Sequence, residues 1–326
     1  MIITKTPYRI SFFGGGSDYP EWFNKNEGQV ISATINKHIY ISCRILPHFF
    51  RHKYRIVYSK IENVKKIEDI KHNAVKHILR QLKFSDGLEI HYDGDLPSRS
   101  GMGSSSCFVV GLLNALYKIK KKNISKNELA KNSIFFERNL MRENVGWQDQ
   151  IAAAYGGFNS IKFHRSEFNL KKISCKKDFT TKLNKSLFLV YTGISRTAQD
   201  IANTFTAHLN QKKKTNISVI LKIVEEAKKI IKKNNSDDFG RLLHETWMQK
   251  KSLSTSISSN VIDEIYKKGL SNGALGGKLL GAGGGGFVLF YVESRMQDKF
   301  FHAFRNKVIV PIQITDKGSE IIFDEK

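Results

Sequence analysis

The chain has few cysteines, few prolines and no long uninterrupted hydrophobic run among its 326 residues. The three cysteines are far apart and lack metal-ligand spacing, which excludes a disulfide-rich secreted scaffold and favours a reducing, cytoplasmic setting. No segment approaches the roughly 18 apolar residues of a membrane span, and the N-terminus begins like a strand rather than a signal peptide. We therefore expect a globular protein without a membrane partner, long enough for about two domains.

Acidic residues are also scarce, with 30 Asp and Glu against 53 Lys and Arg, for a formal net charge of +23. A charge of this size raises nucleic acid as a partner. The lysines, however, are scattered in short runs such as 120–122 and 212–214, and no RNP, zinc-finger or KH motif accompanies them. We expect a solvated basic surface that steers an anionic small substrate, and no nucleic-acid partner.

The hydrophobic pattern is mixed and predicts an α+β fold in two halves. Residues rich in Ile, Val, Tyr and Phe predict strands over 2–13, 30–46, 54–58, 87–93, 158–163, 186–191, 287–292 and 306–314. Helical spacing predicts helices over 68–84, 107–119, 126–140, 147–155, 195–210, 216–233, 236–251 and 260–271. Ser125 and Glu128 form a capping box before the third of these helices. The polar, lysine-rich segment 165–185 is the expected crossover between domains 1–170 and 171–326.

A glycine–serine loop between a predicted strand and an apolar helix is the most informative stretch of the chain, from Leu96 to Ser106. Its glycines allow the backbone to approach a ligand closely, and its serines are expected to cap the helix that follows. The start of a helix offers free N–H groups and a partial positive charge, which favour anions. The loop predicts a phosphate site, although alone it also fits an ordinary capped helix.

Two further glycine clusters, 14–16 and 281–286, narrow the possible chemistry. Gly281-x-Gly283-x-x-Gly286 has the spacing of a dinucleotide fingerprint, but it precedes a predicted strand instead of opening a helix, which disfavours NAD binding. The other parts suit phosphoryl transfer, which needs held phosphates, Mg²⁺, a carboxylate for the acceptor hydroxyl and a cation. Glu137 and Asp149 are the candidate carboxylates, although either one alone fits a helix-surface acid.

The three glycine motifs together resemble those of the GHMP kinases, a family that includes galactokinase, homoserine kinase and mevalonate kinase. The matching segments are Thr6–Tyr19, Leu96–Ser106 and Gly276–Phe287. The resemblance implies a two-domain α+β fold, with an N-terminal domain like domain 2 of ribosomal protein S5 and a ferredoxin-like C-terminal domain. It also implies ATP as phosphoryl donor and Mg²⁺ as metal, and leaves the oligomeric state open between monomer and homodimer.

The resemblance assigns roles to the matched residues. Asp149 would accept or orient the proton of the acceptor hydroxyl. Arg9, the basic residue beside Asp149, would stabilise the transferring phosphoryl group and help keep Asp149 ionised. Ser105 and Glu137 would hold Mg²⁺. The residues expected against the phosphates of ATP are Pro97, Ser98, Arg99, Ser100, Gly101, Met102, Gly103, Ser104, Ser105 and Ser106. The residues expected against the acceptor are Gly15, Gly16, Ser17, Asp18, Tyr19, Thr192, Gly193, Arg196, Lys278, Gly283 and Gly284.

The first glycine cluster narrows the acceptor, because Gly15 and Gly16 stand where galactokinase and mevalonate kinase carry Glu and His. With segments 145–150 and 191–196, it resembles the sugar-kinase branch that acts on heptose phosphate and fucose. The implied reaction converts D-glycero-D-manno-heptose 7-phosphate to its 1,7-bisphosphate. This product would be used to make nucleotide-activated heptose for a capsule or lipopolysaccharide. Arg196 and Lys278 would bind the phosphate that the sugar already carries. The alternatives are a kinase for fucose, galactose or an amino sugar and, more distantly, a nucleic-acid-binding protein on an S5-like fold.

Overall fold

The computed structural model of the chain describes residues 1–194, 214–252 and 257–325. Its strands are β1 (Ile2–Phe13), β2 (Gly28–Ile45), β3 (Tyr54–Val57), β4 (Ile61–Val64), β5 (Leu88–Gly94), β6 (Phe158–His164), β7 (Glu167–Lys172), β8 (Leu187–Tyr191), β9 (Ala274–Leu279), β10 (Phe287–Val292), β11 (Ile309–Pro311), β12 (Ile314–Thr315) and β13 (Glu320–Asp324). Its helices are α1 (Pro20–Phe23), α2 (Asn73–Gln81), α3 (Ser104–Ile119), α4 (Lys126–Phe135), α5 (Gln148–Tyr155), α6 (Lys177–Ser186), α7 (Lys214–Lys232), α8 (Ser236–Lys251), α9 (Asn260–Ser271) and α10 (Gln297–Ala303).

The first sheet is built around β2, a strand of 18 residues. β1 runs antiparallel along β2, while β6 pairs with residues 28–33 of β2 and β5 pairs with residues 39–45. β3 lies parallel to β5 and carries β4, and β7 pairs with β6. In β2 the buried Ile39, Ile41 and Cys43 alternate with half-exposed residues. One face of the strand therefore packs into the core with α3, as the strand period of two requires.

The second sheet has the order β11-β8-β10-β9, with every pair antiparallel. Helices α8 and α9 pack on β9, and α8 also contacts β1 of the first sheet. Phe239 on α8 lies edge-on to Phe12 and Phe13 of β1, with ring centroids 5.2 and 4.9 Å away. This aromatic contact joins the two sheets through one buried helix.

Most predicted elements are confirmed, including the strands 2–13, 287–292 and the helix 260–271. The capping box of Ser125 and Glu128 is present at α4. The prediction of a serine N-cap for α3 was wrong. Gly103, in a left-handed conformation with φ +74°, occupies the cap position, and no side chain caps the helix there. The predicted strand 306–314 is divided between β11, on the second sheet, and β12, on the first. The predicted helix 195–210 lies outside the described residues.

The chain crosses between the two sheets more than once. β12 and β13, from the end of the chain, pair with β2 and β1 of the first sheet. A single division after residue 170 would cut through β7 and would assign these last strands to the wrong sheet. Within the residues that the structure describes, no helix has the length and apolar character needed to cross a lipid bilayer.

Two glycine loops touch backbone to backbone where the halves of the chain meet. Gly281 has φ +73°, and a Cβ atom there would lie 2.4 Å from Cα of Gly101 in the glycine–serine loop. A Cβ atom at Gly286 would lie 2.3 Å from the carbonyl oxygen of Ser100. Only glycine permits such an approach at a left-handed residue. Ser100, Gly101, Gly281 and Gly286 therefore form the joint, the direct backbone contact between the second and third motifs.

We expect Gly281→Ala to destabilise the protein more than Gly193→Ala. Both glycines have a left-handed φ, +73° and +81°, so both substitutions carry the same cost of roughly 1–2 kcal/mol. Among the described residues, nothing lies within 4 Å of a Cβ atom at Gly193, whereas Gly281 faces backbone, which adds about 1–3 kcal/mol. Denaturant unfolding of both variants measures the difference. Equal losses would show that the two loops can separate without cost.

Candidate active site

Arg9 of β1 and Asp149 in the first turn of α5 form a two-pronged ion pair. Arg9 Nε donates to Asp149 Oδ1 at 2.6 Å and Nη2 donates to Oδ2 at 2.5 Å. The third arm, Nη1, donates to the carbonyl oxygen of Gly101 at 2.8 Å. Arg9 is 4% exposed, and such charge-assisted, bidentate contacts fix both side chains. The two predicted catalytic residues are therefore in contact, and the glycine–serine loop holds the guanidinium from the other side.

The glycine–serine loop lies directly on this pair. A Cβ atom at Gly103 would be 3.3 Å from both Arg9 Cζ and Asp149 Oδ2. Around it, Ser100 and Met102 are buried, while Pro97, Ser98 and Arg99 are exposed. The hydroxyl of Ser104 accepts a hydrogen bond from the backbone N–H of Arg99 at 3.3 Å. One part of the loop is therefore exposed to solvent, while Gly101 and Gly103 lie against the pair of Arg9 and Asp149.

Asp18 places a second carboxylate beside Asp149. Its side chain is buried and accepts a hydrogen bond from the N–H of Gly16 at 2.9 Å. Burial, followed by the negative charge of Asp149, raises the pKa of Asp18 to about 6. The backbone carbonyl of Asp18 accepts from Trp147 N at 3.0 Å, which ties the first glycine cluster to the start of α5. Against the effect of burial, the negative charges of Asp149 and Asp18 both act to raise the pKa of Arg9.

Two hydroxyls that were expected to contact the acceptor are used inside the protein instead. Ser17 is fully buried; its Oγ donates to the carbonyl oxygen of Gly14 at 2.8 Å and accepts from Gln29 N at 3.0 Å. Thr192 is also buried, and its Oγ1 donates to the carbonyl oxygen of Gly286 at 2.8 Å. Both hydroxyls therefore close their own loops, and their contact with the acceptor stays a prediction.

Glu137 is a fully buried carboxylate in a π-helical turn, Phe136–Leu140, that follows α4. Its Oε2 accepts from Ser106 Oγ at 2.8 Å and from Gln150 Nε2. Its Oε1 is buried and has no hydrogen-bond partner among the described residues. Burial raises the pKa of Glu137 to about 8. Because an unpaired buried carboxylate is costly, this oxygen is suited to a cation.

The serine beside Glu137 is Ser106 and not the predicted Ser105. Ser105 is exposed, whereas Ser106, the next residue on α3, is turned inward to the carboxylate. Gln150 Oε1 is also buried without a partner in the described part of the chain. Carboxylate, hydroxyl and amide oxygens fit a hard cation such as Mg²⁺. No group of three or more His, Cys, Asp or Glu in the described ranges could enclose a metal, so phosphate and water would have to complete the shell.

Two lysines lie at the same joint, and only one was predicted. Lys278 of β9 is 3% exposed, and its Nζ donates to the carbonyl oxygen of Phe12 at 2.7 Å. This bond ties the second sheet to the first, and the contact of Lys278 with a substrate phosphate stays a prediction. Lys250 of α8, which no motif marks, donates to the carbonyl oxygen of Gly281. Only the tertiary contact of α8 with the third motif brings it here.

The other predicted acceptor residues lie in different settings. A Cβ atom at Gly15 would be 3.1 Å from Ser11 Oγ, so little space remains over this residue. Gly283 and Gly284 pack against Ile257, whose carbonyl oxygen accepts from Gly284 N at 3.0 Å. Tyr19 is half-buried, and Arg196 lies outside the described residues.

The chain matches two protein-family domains. The N-terminal domain of the GHMP kinases matches residues 68–157, and the C-terminal domain of the same kinases matches residues 226–309. The first match contains the glycine–serine loop, Glu137 and Asp149, and the second contains Lys250 and the third glycine motif. The matched domains therefore supply most of the site described above.

Known proteins are similar over nearly the whole chain. D-glycero-alpha-D-manno-heptose 7-phosphate kinase of Campylobacter jejuni is 30% identical, over 94% of each chain. The bifunctional fucokinase/GDP-fucose pyrophosphorylase of Arabidopsis thaliana is 25% identical over 90% of this chain, which spans 30% of that protein. The crystal structure of a D-glycero-D-manno-heptose 1-phosphate kinase from Bacteriodes thetaiotaomicron superposes with a TM-score of 0.82 at 22% identity, over 100% of both chains. The chain belongs to the GHMP kinase family, and it is a sugar kinase, a phosphotransferase with an alcohol group as acceptor.

Proposed function

We propose that this kinase uses ATP and Mg²⁺ to phosphorylate the anomeric C1 hydroxyl of D-glycero-D-manno-heptose 7-phosphate. The observation that carries the reaction is the Arg9–Asp149 pair lying against the glycine–serine loop. GHMP kinases use ATP as phosphate donor, generally with Mg²⁺. The choice of acceptor rests on the heptose 7-phosphate kinase that is 30% identical to this chain, and on the glycines at 15 and 16.

In the proposed reaction the C1 oxygen forms a bond to the γ-phosphorus of ATP, and the bond from that phosphorus to the bridging β–γ oxygen breaks to release ADP. Asp149 takes the proton of the C1 hydroxyl, and Arg9 balances the charge on the transferring group. Asp18 accepts hydrogen bonds from sugar hydroxyls next to Asp149. The contact between Gly101 and Gly281 keeps the glycine–serine loop aligned with Arg9 and Asp149.

Glu137 and the hydroxyl of Ser106 are the groups that would hold Mg²⁺, with the amide oxygen of Gln150 beside them. The ion supplies positive charge against the phosphate oxygens of ATP. The exposed Ser105 would instead face the phosphates directly.

We expect Ser106→Ala to raise the Mg²⁺ concentration needed for half-maximal activity by more than Ser105→Ala does. Removing the Ser106 hydroxyl takes away the 2.8 Å hydrogen bond to Glu137, whereas Ser105 has no such bond to lose. Titration of turnover with Mg²⁺ compares the two variants under one assay. A larger effect from Ser105→Ala would show that Ser105 binds the metal, as the family resemblance implied.

The acceptor is tested by ADP release over a panel of sugars. The panel holds heptose 7-phosphate, the same heptose without phosphate, fucose, galactose and an amino sugar. We expect kcat/KM for heptose 7-phosphate to exceed that of the others at least a hundredfold, with the new phosphate on C1 by phosphorus NMR. Better turnover of fucose would favour the function named for the Arabidopsis relative and would overturn the heptose proposal. The cytoplasmic location, the oligomeric state, the absence of a nucleic-acid partner and the link to a surface polysaccharide stay predictions.

A further inference from the structure

Lys250, in the last turn of α8, contacts Gly281, which in turn packs on the glycine–serine loop. Its Nζ donates to the carbonyl oxygen of Gly281 and lies 3.5 Å from that of Leu279. Gly281 packs on Gly101, and the carbonyl oxygen of Gly101 accepts Nη1 of Arg9. Backbone contacts thus connect the Lys250 ammonium to the guanidinium that holds Asp149.

The positive charge of Lys250 has no carboxylate partner within ion-pair distance in the described residues. The next residue, Lys251, differs: its Nζ lies 2.8 Å from both carboxylate oxygens of Asp263. Lys250 is half-buried and holds only carbonyl oxygens, and its pKa falls to about 8, chiefly through burial and then through Arg9, with Asp18 acting in the opposite direction. A partly buried cation without a counter-ion favours binding of an anion at that position.

Lys278 cannot supply this cation. Lys278 is 3% exposed, with its Nζ on the carbonyl oxygen of Phe12, and burial, followed by the charges of Lys250 and Arg9, holds its pKa well below the usual range of a lysine. Of the two lysines at the joint, Lys250 is the one that keeps access to solvent. The role that the sequence assigned to Lys278 therefore passes to a residue on another element.

We propose that Lys250 binds a phosphate oxygen in the complex with both substrates. This inference rests on the proposed kinase function. The phosphate has two possible sources with the same chemistry, the phosphate already on the acceptor sugar and the γ-phosphoryl group of ATP.

The test compares Lys250→Met with Lys250→Arg and with the matched control Lys251→Met, which removes a neighbouring lysine of the same helix that lies outside the site. Calorimetry without nucleotide measures the Kd of the phosphorylated acceptor and of the same sugar without its phosphate. A second titration measures the Kd of a non-hydrolysable ATP analogue with Mg²⁺, and the ADP-release assay measures kcat. Thermal unfolding confirms that each variant is folded.

If Lys250 binds the acceptor phosphate, Lys250→Met raises the Kd of the phosphorylated sugar at least tenfold and leaves that of the unphosphorylated sugar unchanged. If it binds the γ-phosphoryl group, the variant lowers kcat at least tenfold while the acceptor Kd stays the same. In both cases Lys250→Arg retains more function than Lys250→Met. A folded Lys250→Met variant that matches Lys251→Met in every measurement overturns the proposal. The acceptor in these measurements is the sugar that the unsubstituted protein phosphorylates best. An error in the heptose assignment therefore shows in the ADP-release assay over several sugars and does not affect the comparison of the Lys250 variants.

Discussion

Asp149→Asn is expected to lower kcat by about 10²–10⁴-fold while the protein stays folded and still binds ATP. Asparagine has the size of aspartate, but its amide cannot take a proton from the acceptor hydroxyl. It also turns one N–H donor of the side chain toward Arg9, whose Nε and Nη2 each need an acceptor oxygen. The ADP-release assay measures kcat and KM, and calorimetry with a non-hydrolysable ATP analogue measures nucleotide binding.

Asp316→Asn is the matched control for this substitution. Asp316 is exposed and forms an ion pair with Lys172 at the surface, so its variant should turn over normally. If a folded Asp149→Asn protein keeps kcat within threefold of the parent, a different group must carry the proton. A loss confined to the KM of the acceptor would place Asp149 in substrate binding alone.

Glu137→Gln is expected to stabilise the metal-free protein increasingly as the pH rises. The pKa of Glu137 is about 8 in the folded protein, against an ordinary value of 4.5. The protonated carboxyl therefore favours the native state below pH 4.5, and this advantage is lost as the pH rises toward 8. Glutamine never ionises, so the free energy of unfolding of the variant should rise by on the order of 4 kcal/mol relative to that of the parent across this pH range. Denaturant unfolding at several pH values, with a metal chelator present, measures the gain.

The same substitution is expected to abolish the pH dependence of the stabilisation by Mg²⁺. Binding of a cation requires the Glu137 carboxylate and releases its proton, so Mg²⁺ with a non-hydrolysable ATP analogue should raise the Tm of the parent more at pH 8 than at pH 6. Glu137→Gln should lose this extra shift. Glu225→Gln, at an exposed residue paired with Lys228, should keep it. An equal shift in the Glu137 variant would place the ion elsewhere.

Arg9 could be selected from the sequence because it lies within the first motif, whereas the resemblance to the GHMP kinases selected Glu137 and Asp149. Glycine clusters leave a clear local signal, since close backbone approach and left-handed residues exclude other side chains. The resemblance of three motifs in order then indicated the pairing of Arg9 with Asp149, which the structure contains. The two contacts from Gly101 and Gly103 to this pair could not be predicted, because they join segments that are distant along the chain.

The sequence leaves a choice open where one residue type has several possible partners. Ser105 and Ser106 are neighbours with the same side chain, and only the direction of α3 decides that Ser106 meets Glu137. Ser17 and Thr192 have hydroxyls that a sugar could use, but nearby carbonyl oxygens occupy them. Such competition between internal and external partners depends on the packed structure and has no local pattern.

The sequence by itself predicted most of the elements, because hydrophobic period, capping residues and glycine loops are local properties of the chain. The roles expected for Glu137 and Asp149 came from the resemblance of the three motifs to those of the GHMP kinases. The tertiary structure alone decided which cations reach the site. Lys278, inside a motif, is held by the carbonyl oxygen of Phe12, while Lys250, outside every motif, is brought to Gly281. The reason is physical: a charge within a folded protein is governed by the groups packed around it, and α8 and β9 meet the first sheet only after the chain has folded.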